Sequence, residues 1–258
     1  MLIALAGFMT VSVLPAAAGN SDTIQYVALG DSYAAGQGGS DYLNDCLQSP
    51  NGYPYLLDAE KQIHLRANAA CSGAKTSEVV STQLSALNRG TRLVTVTVGA
   101  ADLNLSAVLT ACTAVPPENC QAAIEQAVGQ LPGLKDSLIK LYAEVADEAP
   151  NALILVTGYP HLFEILPGDP AAAIKTQIND AITLLNSTIL QAVEAQPDSV
   201  NIVYVDVTPE FAGHGIGSKE PFIISEGDDA YHPNAAGYRA YAKAILATIR
   251  GDDNKQVP

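Results

Sequence analysis

Short apolar runs alternate with longer amphipathic stretches along most of this chain. Ile24 to Leu29, Ile63 to Asn68, Leu93 to Val98, Ala152 to Thr157 and Asn201 to Val207 are short and rich in strand-favouring residues. Turn formers bound most of them, and each predicts a buried strand. Between them, apolar positions recur at helical spacing. Helices are expected over Tyr53 to Lys61, Thr76 to Asn88 (stopping near Gly90), Glu118 to Glu148 with a break near Pro132 and Gly133, Ala171 to Ala195, and Asn234 to Ile249. Strands alternating with helices mean βαβ units and a mainly parallel sheet covered on both faces. Five such strands predict an α/β fold, a three-layer α/β/α sandwich. The charged tail from Gly251 is expected to fray.

The N-terminus breaks this rhythm. Residues 1–18 carry no charge, Leu2 to Leu14 is mostly apolar, and Pro15 to Ala18 supplies the small residues of an A-x-A cleavage site. The expected organisation is a secretory signal peptide over 1–18 and a single domain over 19–258. An uncleaved anchor is the other reading. The run is short for a span, and no cysteine follows it to take a lipid. No basic residue opens the segment, which departs from the usual leader pattern.

Charge and cysteines narrow the class. Asp and Glu number 27 against 13 Lys and Arg, a net charge of −14, which argues against nucleic acid and anionic membranes as partners. The expected protein is a monomer with no stable membrane insertion after leader cleavage. An even set of cysteines behind a leader suggests disulfides. Three pairings are open for Cys46, Cys71, Cys112 and Cys120. The expected ones are Cys112–Cys120, around Pro116 and Pro117, and Cys46–Cys71, closing a longer loop. No C-x-x-C occurs to suggest zinc.

Candidate chemistry sits at strand ends. Gly30-Asp31-Ser32 follows the first strand, and Tyr33-Ala34-Ala35 can open a helical turn, so the hydroxyl of Ser32 would stand over a helix N-terminus that favours developing negative charge. The tripeptide alone also reads as a helix cap. The following Gly36-Gln37-Gly38-Gly39 is not a dinucleotide loop, because Asp41 stands where the third glycine is needed. Stretches beginning at Cys71, Gly99 and Gly158 also follow strands and should crowd onto the same sheet edge.

Of the four histidines, His64 reads as a packed or surface residue, His161 is uncommitted, and His214 on its Gly-rich loop could line a pocket. His232 differs. It stands before a helix that Pro233-Asn234 can start, three residues after Asp229. The Asp229 carboxylate is expected to accept a bond from Nδ1–H, leaving Nε2 free to take the Ser32 proton. By itself, Asp-x-x-His also reads as a helix-start hydrogen bond.

Taken in order, Gly30-Asp31-Ser32-Tyr33, Cys71-Ser72-Gly73, Val98-Gly99-Ala100-Ala101-Asp102, Phe211 to His214, and Asp229 to Gly237 resemble the SGNH (GDSL) hydrolase superfamily, most closely its secreted bacterial lipase/esterase branch. The resemblance runs from about Ile24 to about Ile249. It implies a flavodoxin-like fold and cofactor-free hydrolysis of a small-molecule or lipid ester, with nucleophile Ser32, base His232 and orienting acid Asp229. Asp228 is adjacent at the wrong spacing. The family's oxyanion donors fall on the N–H groups of Ser32 and Gly73. Its third donor, an asparagine side chain, falls on Ala101, which has none; Asn104 is a possible substitute. Ala101 therefore leaves room for a second reading, a slow or non-catalytic ester- or glycan-binding domain. A third would be a metal-dependent phosphoesterase using Asp31, Asp102, Asp229 and His232, for which the ligand cluster is thin.

Overall fold

The computed structural model describes residues 23–114, 117 and 119–251. The leader expected over 1–18 lies outside them. Five strands form the sheet: β1 (Ile24–Gly30), β2 (Ile63–Asn68), β3 (Leu93–Thr97), β4 (Leu153–Thr157) and β5 (Ile202–Val205). Every pairing is parallel, in the order β2-β1-β3-β4-β5. All strand C-termini therefore open onto one edge. The order reverses direction around β1, whose neighbours are β2 and β3, and open α/β sheets bind ligands at such a switch point.

The strands form because both faces are covered. Tyr26 to Leu29 and the whole of β3 are buried. Buried hydroxyls along the central strands pair with one another: Tyr26 bonds Thr95 at 2.7 Å, Tyr53 bonds Thr97 at 2.8 Å, and Thr97 bonds Thr157 at 2.6 Å. This ladder ties neighbouring strands together beneath the edge that carries the site.

The helices are α1 (Ser32–Ala35), α2 (Tyr53–Asp58), a run that opens as α3 (Thr76–Glu78), α4 (Leu105–Thr113), α5 (Cys120–Glu148), α6 (Ala172–Glu194), α7 (Thr208–Phe211) and α8 (Ala235–Arg250). Three departures from the expected pattern have physical causes. The break expected at Pro132 is absent, and α5 runs through it. Proline inside a helix costs about 3 kcal/mol. Here Ile124 and Ala127 before it, and Leu134, Leu138, Leu141, Tyr142 and Val145 after it, share one buried face that outweighs that cost. The stretch between β3 and α5, where no helix is expected, contains α4, whose Val108, Leu109 and Cys112 are buried. The helix expected over Thr76 to Asn88 changes pitch twice, passing through a π turn at Val79–Gln83 and a 3₁₀ turn at Leu84–Ala86.

That π turn has a purpose. It delivers the buried Gln83 carboxamide to the main chain of Gly30, accepting from Gly30 N–H at 2.7 Å and donating to its carbonyl at 2.9 Å. Single π turns often mark functional sites. Here it pins Gly30, the last residue of β1, two positions before Ser32.

Candidate active site

The site begins where β1 stops. Gly30 has φ +134°, and a Cβ there would lie 2.0 Å from the Thr97 carbonyl oxygen, so only glycine lets β1 leave the sheet this close to β3. Asp31 then caps α1. Its carboxylate accepts from Tyr33 N–H at 3.0 Å and from the Tyr159 hydroxyl at 2.5 Å. Burial raises the Asp31 carboxyl to about 7, against the opposing pull of those bonds. Ser32 is the first residue of α1, and the cap sets its direction.

His232 comes from the other end of the chain. Asn234 caps α8, accepting from the N–H groups of Ala236 and Gly237 at 2.9 and 3.0 Å. The turn before it holds Tyr231 at φ +69°, and the Tyr33 hydroxyl donates to the Tyr231 carbonyl at 2.6 Å. His232 Nε2 consequently lies 2.8 Å from Ser32 Oγ. The other histidines are elsewhere. His64 is exposed, 3.6 Å from Asp58. His161 bonds Thr183 at 2.9 Å, and His214 stacks on Phe222 at 3.7 Å with Nδ1 against the Glu220 carbonyl.

The expected contact between the Asp229 carboxylate and the imidazole needs correction. Nδ1 faces main-chain oxygens instead, that of Ala230 at 3.1 Å and that of Asp229 at 3.3 Å. The cause is the turn itself: His232 N–H donates to the Asp229 carbonyl at 3.2 Å, which turns the main chain of Asp229 toward the ring. The carboxylate is left to accept from Gln37 Nε2 at 3.3 Å and to face the Tyr42 hydroxyl, whose pKa burial and that carboxylate push up to about 12. The main-chain oxygens still select the Nδ1–H tautomer, so Nε2 carries the lone pair toward Ser32.

Two N–H groups at the strand ends, those of Ser32 and Gly73, have no protein acceptor among the described residues. Gly73 has φ +80° and open space where a Cβ would stand, so conformation rather than room calls for glycine. The Cys46–Cys71 disulfide and the bond from Ser72 N–H to the Cys46 carbonyl, 3.1 Å, hold this turn against the loop after α1. The second disulfide, Cys112–Cys120, joins α4 to α5, away from the site. Ala101 sits half-buried in the turn after β3. Asn104 is exposed and in the left-handed region (φ +51°); among the described residues its carboxamide makes no bond at Ser32. Asp102 is taken by Thr76, which donates from N and Oγ1. Among the described residues no group of three His, Cys, Asp or Glu side chains stands at metal-ligand spacing.

Burial lowers the pKa of His232 below its ordinary 6.5, more strongly than the two carbonyls and the Asp229 charge raise it. A base must be neutral to act, and a depressed pKa keeps it neutral to lower pH. The acid limb of kcat/KM should therefore fall below pH 6.5. A pH–rate profile measures this, and an acid limb above that value would contradict it.

Sequence reasoning missed Gln37, Gln83 and the support from Tyr33. Only their burial and their partners reveal them, and single-residue signals do not carry that.

Residues 28–240 match the GDSL-like Lipase/Acylhydrolase family. "Lipase 1" of Streptomyces coelicolor is 33% identical over 249 residues, covering 91% of this chain and 88% of that protein. "Lipase" of Streptomyces rimosus is 33% identical over 220 residues, covering 82% and 81%. Among solved structures, the extracellular lipase from S. rimosus superposes with a TM-score of 0.81 at 30% identity, covering 87% of this chain and 99% of that one. Phospholipase A1 from Streptomyces albidoflavus gives 0.80 at 33% identity, with the same coverage. The chain shares its sequence and its fold with these proteins over most of its length, and it belongs to the GDSL-like lipase/acylhydrolase family, the SGNH hydrolases, as a carboxylic ester hydrolase.

Proposed function

We propose that the chain is a secreted lipase or esterase working through an acyl-enzyme on Ser32, with His232 as the base. The 2.8 Å approach of His232 Nε2 to Ser32 Oγ carries this reading. Nε2 takes the hydroxyl proton as Oγ attacks the ester carbonyl. The oxyanion is held by the N–H groups of Ser32 and Gly73. The imidazolium returns the proton to the leaving alcohol oxygen. Water then loses a proton to Nε2 and attacks the acyl carbonyl, and Ser32 leaves with that proton. Asp229 contributes its main-chain carbonyl to Nδ1 and its negative charge at longer range.

An amphiphilic ester suits the surroundings. Of the exposed large apolar side chains among the described residues, Tyr42 and Leu43 stand on the loop after α1, and Ile165 and Leu166 on the loop after β4, both at the catalytic edge. A cleft of about 430 Å³ lined by Phe163, Ile165 and Phe211 opens there, and the Phe163 ring lies 6.3 Å from that of Tyr231, next to His232. Secretion is supported by the leader pattern over 1–18, by the disulfides, and by the extracellular relative. No helix among the described residues is long and apolar enough to cross a membrane.

Ala101 favours one variation on this reading, a slow enzyme with an incomplete oxyanion hole. An organophosphate ester tests both forms. Peptide mass spectrometry after incubation should find stoichiometric phosphorylation of Ser32, slowed as His232 is protonated. A protein left unlabelled at Ser32 would refute catalysis and favour a binding domain.

A further inference from the structure

Gln37 follows α1 and is 7% exposed. Its main chain is tied at both polar atoms: N–H donates to the Ser32 carbonyl at 3.0 Å, and its carbonyl accepts from the Tyr238 hydroxyl at 2.6 Å. The residue is thus anchored to the turn that carries the nucleophile and to α8. From that base the carboxamide reaches two separate loops. Nε2 donates to the Asp228 carbonyl at 3.2 Å and to Asp229 Oδ1 at 3.3 Å, in the turn that ends at His232. Oε1 accepts from Ser72 Oγ at 2.6 Å, and Ser72 precedes Gly73.

We propose that Gln37 is a positioning residue for acyl transfer, a strut that sets the spacing between the base and the Gly73 oxyanion donor, and that the Asp229 carboxylate serves the site through Gln37 rather than through the imidazole. This rests on the Ser32–His232 reading above. The chemistry explains the residue type. One end of the strut must donate and the other must accept, and a carboxamide does both. An ionised glutamate only accepts, and would face the Asp229 carboxylate. The reaction needs Nε2 and the Gly73 N–H to converge on one ester group, and a 1 Å misplacement typically costs about 10²-fold. Gly38 makes the approach possible: a Cβ there would lie 2.4 Å from the Pro233 carbonyl.

A double-variant cycle on the full chain tests it. Gln37→Glu should lower kcat by about 10²-fold while KM stays within about threefold. Asp229→Asn should lower kcat by about tenfold through the charge lost near His232, while the introduced carboxamide still offers oxygen to Gln37; loss of a triad acid would cost about 10⁴. Combining the two should recover at least about tenfold over Gln37→Glu, because the introduced amide can now donate to the introduced carboxylate. A purely structural role would move KM and melting temperature without this recovery. Amide exchange in Gln37→Glu should quicken together over 71–74 and 224–233, a readout independent of turnover. Wild-type kcat in Gln37→Glu, no recovery in the double variant, or quickening of one segment alone overturns the proposal. If Gln37→Glu does not fold, Ser72→Ala decides: kcat falls about fivefold, or the strut is refuted. Failure of the underlying chemistry would show separately, as turnover surviving in Ser32→Ala.

Discussion

Ser32→Ala should lower ester hydrolysis by about 10⁶-fold, the scale at which loss of a serine nucleophile is felt when its base and oxyanion donors remain. The substitution removes the group that forms the acyl-enzyme and leaves its neighbours standing. The Asp31 cap on Tyr33 N–H, the Gly30 clamp by Gln83 and the main-chain bonds of His232 do not involve the serine hydroxyl. The fold should lose only the 2.8 Å bond to His232, worth about 1 kcal/mol. Residual activity should come from the N–H groups of Ser32 and Gly73, which survive in the variant. Turnover of p-nitrophenyl esters, organophosphate labelling and a thermal melt measured together check this. A folded variant retaining a tenth of wild-type activity would refute Ser32 as the nucleophile.

Ala101→Asn should raise kcat by about 10²-fold, in the range by which single oxyanion donors are valued. The reasoning is electrostatic. On the proposed reading the N–H groups of Ser32 and Gly73 hold the oxyanion, and the resemblance to the family puts a third, side-chain donor at this position, where alanine offers none. A donor aimed at charge that exists only in the transition state changes kcat rather than KM. The turn should accept the change. Its bonds, Leu103 N–H to the Gly99 carbonyl and Asn104 N–H to that of Ala101, are main-chain, and asparagine is a favourable turn residue. A series of short to long p-nitrophenyl esters measures the effect and gives the acyl preference in the same experiment. A fast wild type whose kcat the substitution changes by less than about threefold would mean that another group completes the hole.

Much of the architecture was legible along the chain because it is periodic. Strand-length apolar runs with helical stretches between them define a parallel α/β sheet whatever the details, since both faces must be covered. Local motifs single out Ser32, by a glycine-ended strand and a capping turn, and His232, by the proline and asparagine that start α8. Where a local rule competed with packing, it lost. Pro132 should end a helix, yet α5 continues because its buried face does. The stretch from Thr76 should be one regular helix, yet it changes pitch, and the π turn brings Gln83 under Gly30.

Tertiary structure decided what depends on distance between remote residues. Four histidines are available, and only assembly of the sheet brings one of them within 2.8 Å of a serine 200 positions away. Asp229 stands three residues before His232 in the chain, which suggests a carboxylate on the imidazole. The geometry of the intervening turn gives Nδ1 the Ala230 and Asp229 carbonyls instead, and sends the carboxylate to Gln37 and Tyr42. Gln37 has no motif of its own. Its place follows from three segments of chain meeting around one buried carboxamide. Periodicity and capping are short-range and survive in a linear reading. The direction of a polar side chain is set by whichever partners the fold brings within about 3 Å, and those come from anywhere in the chain.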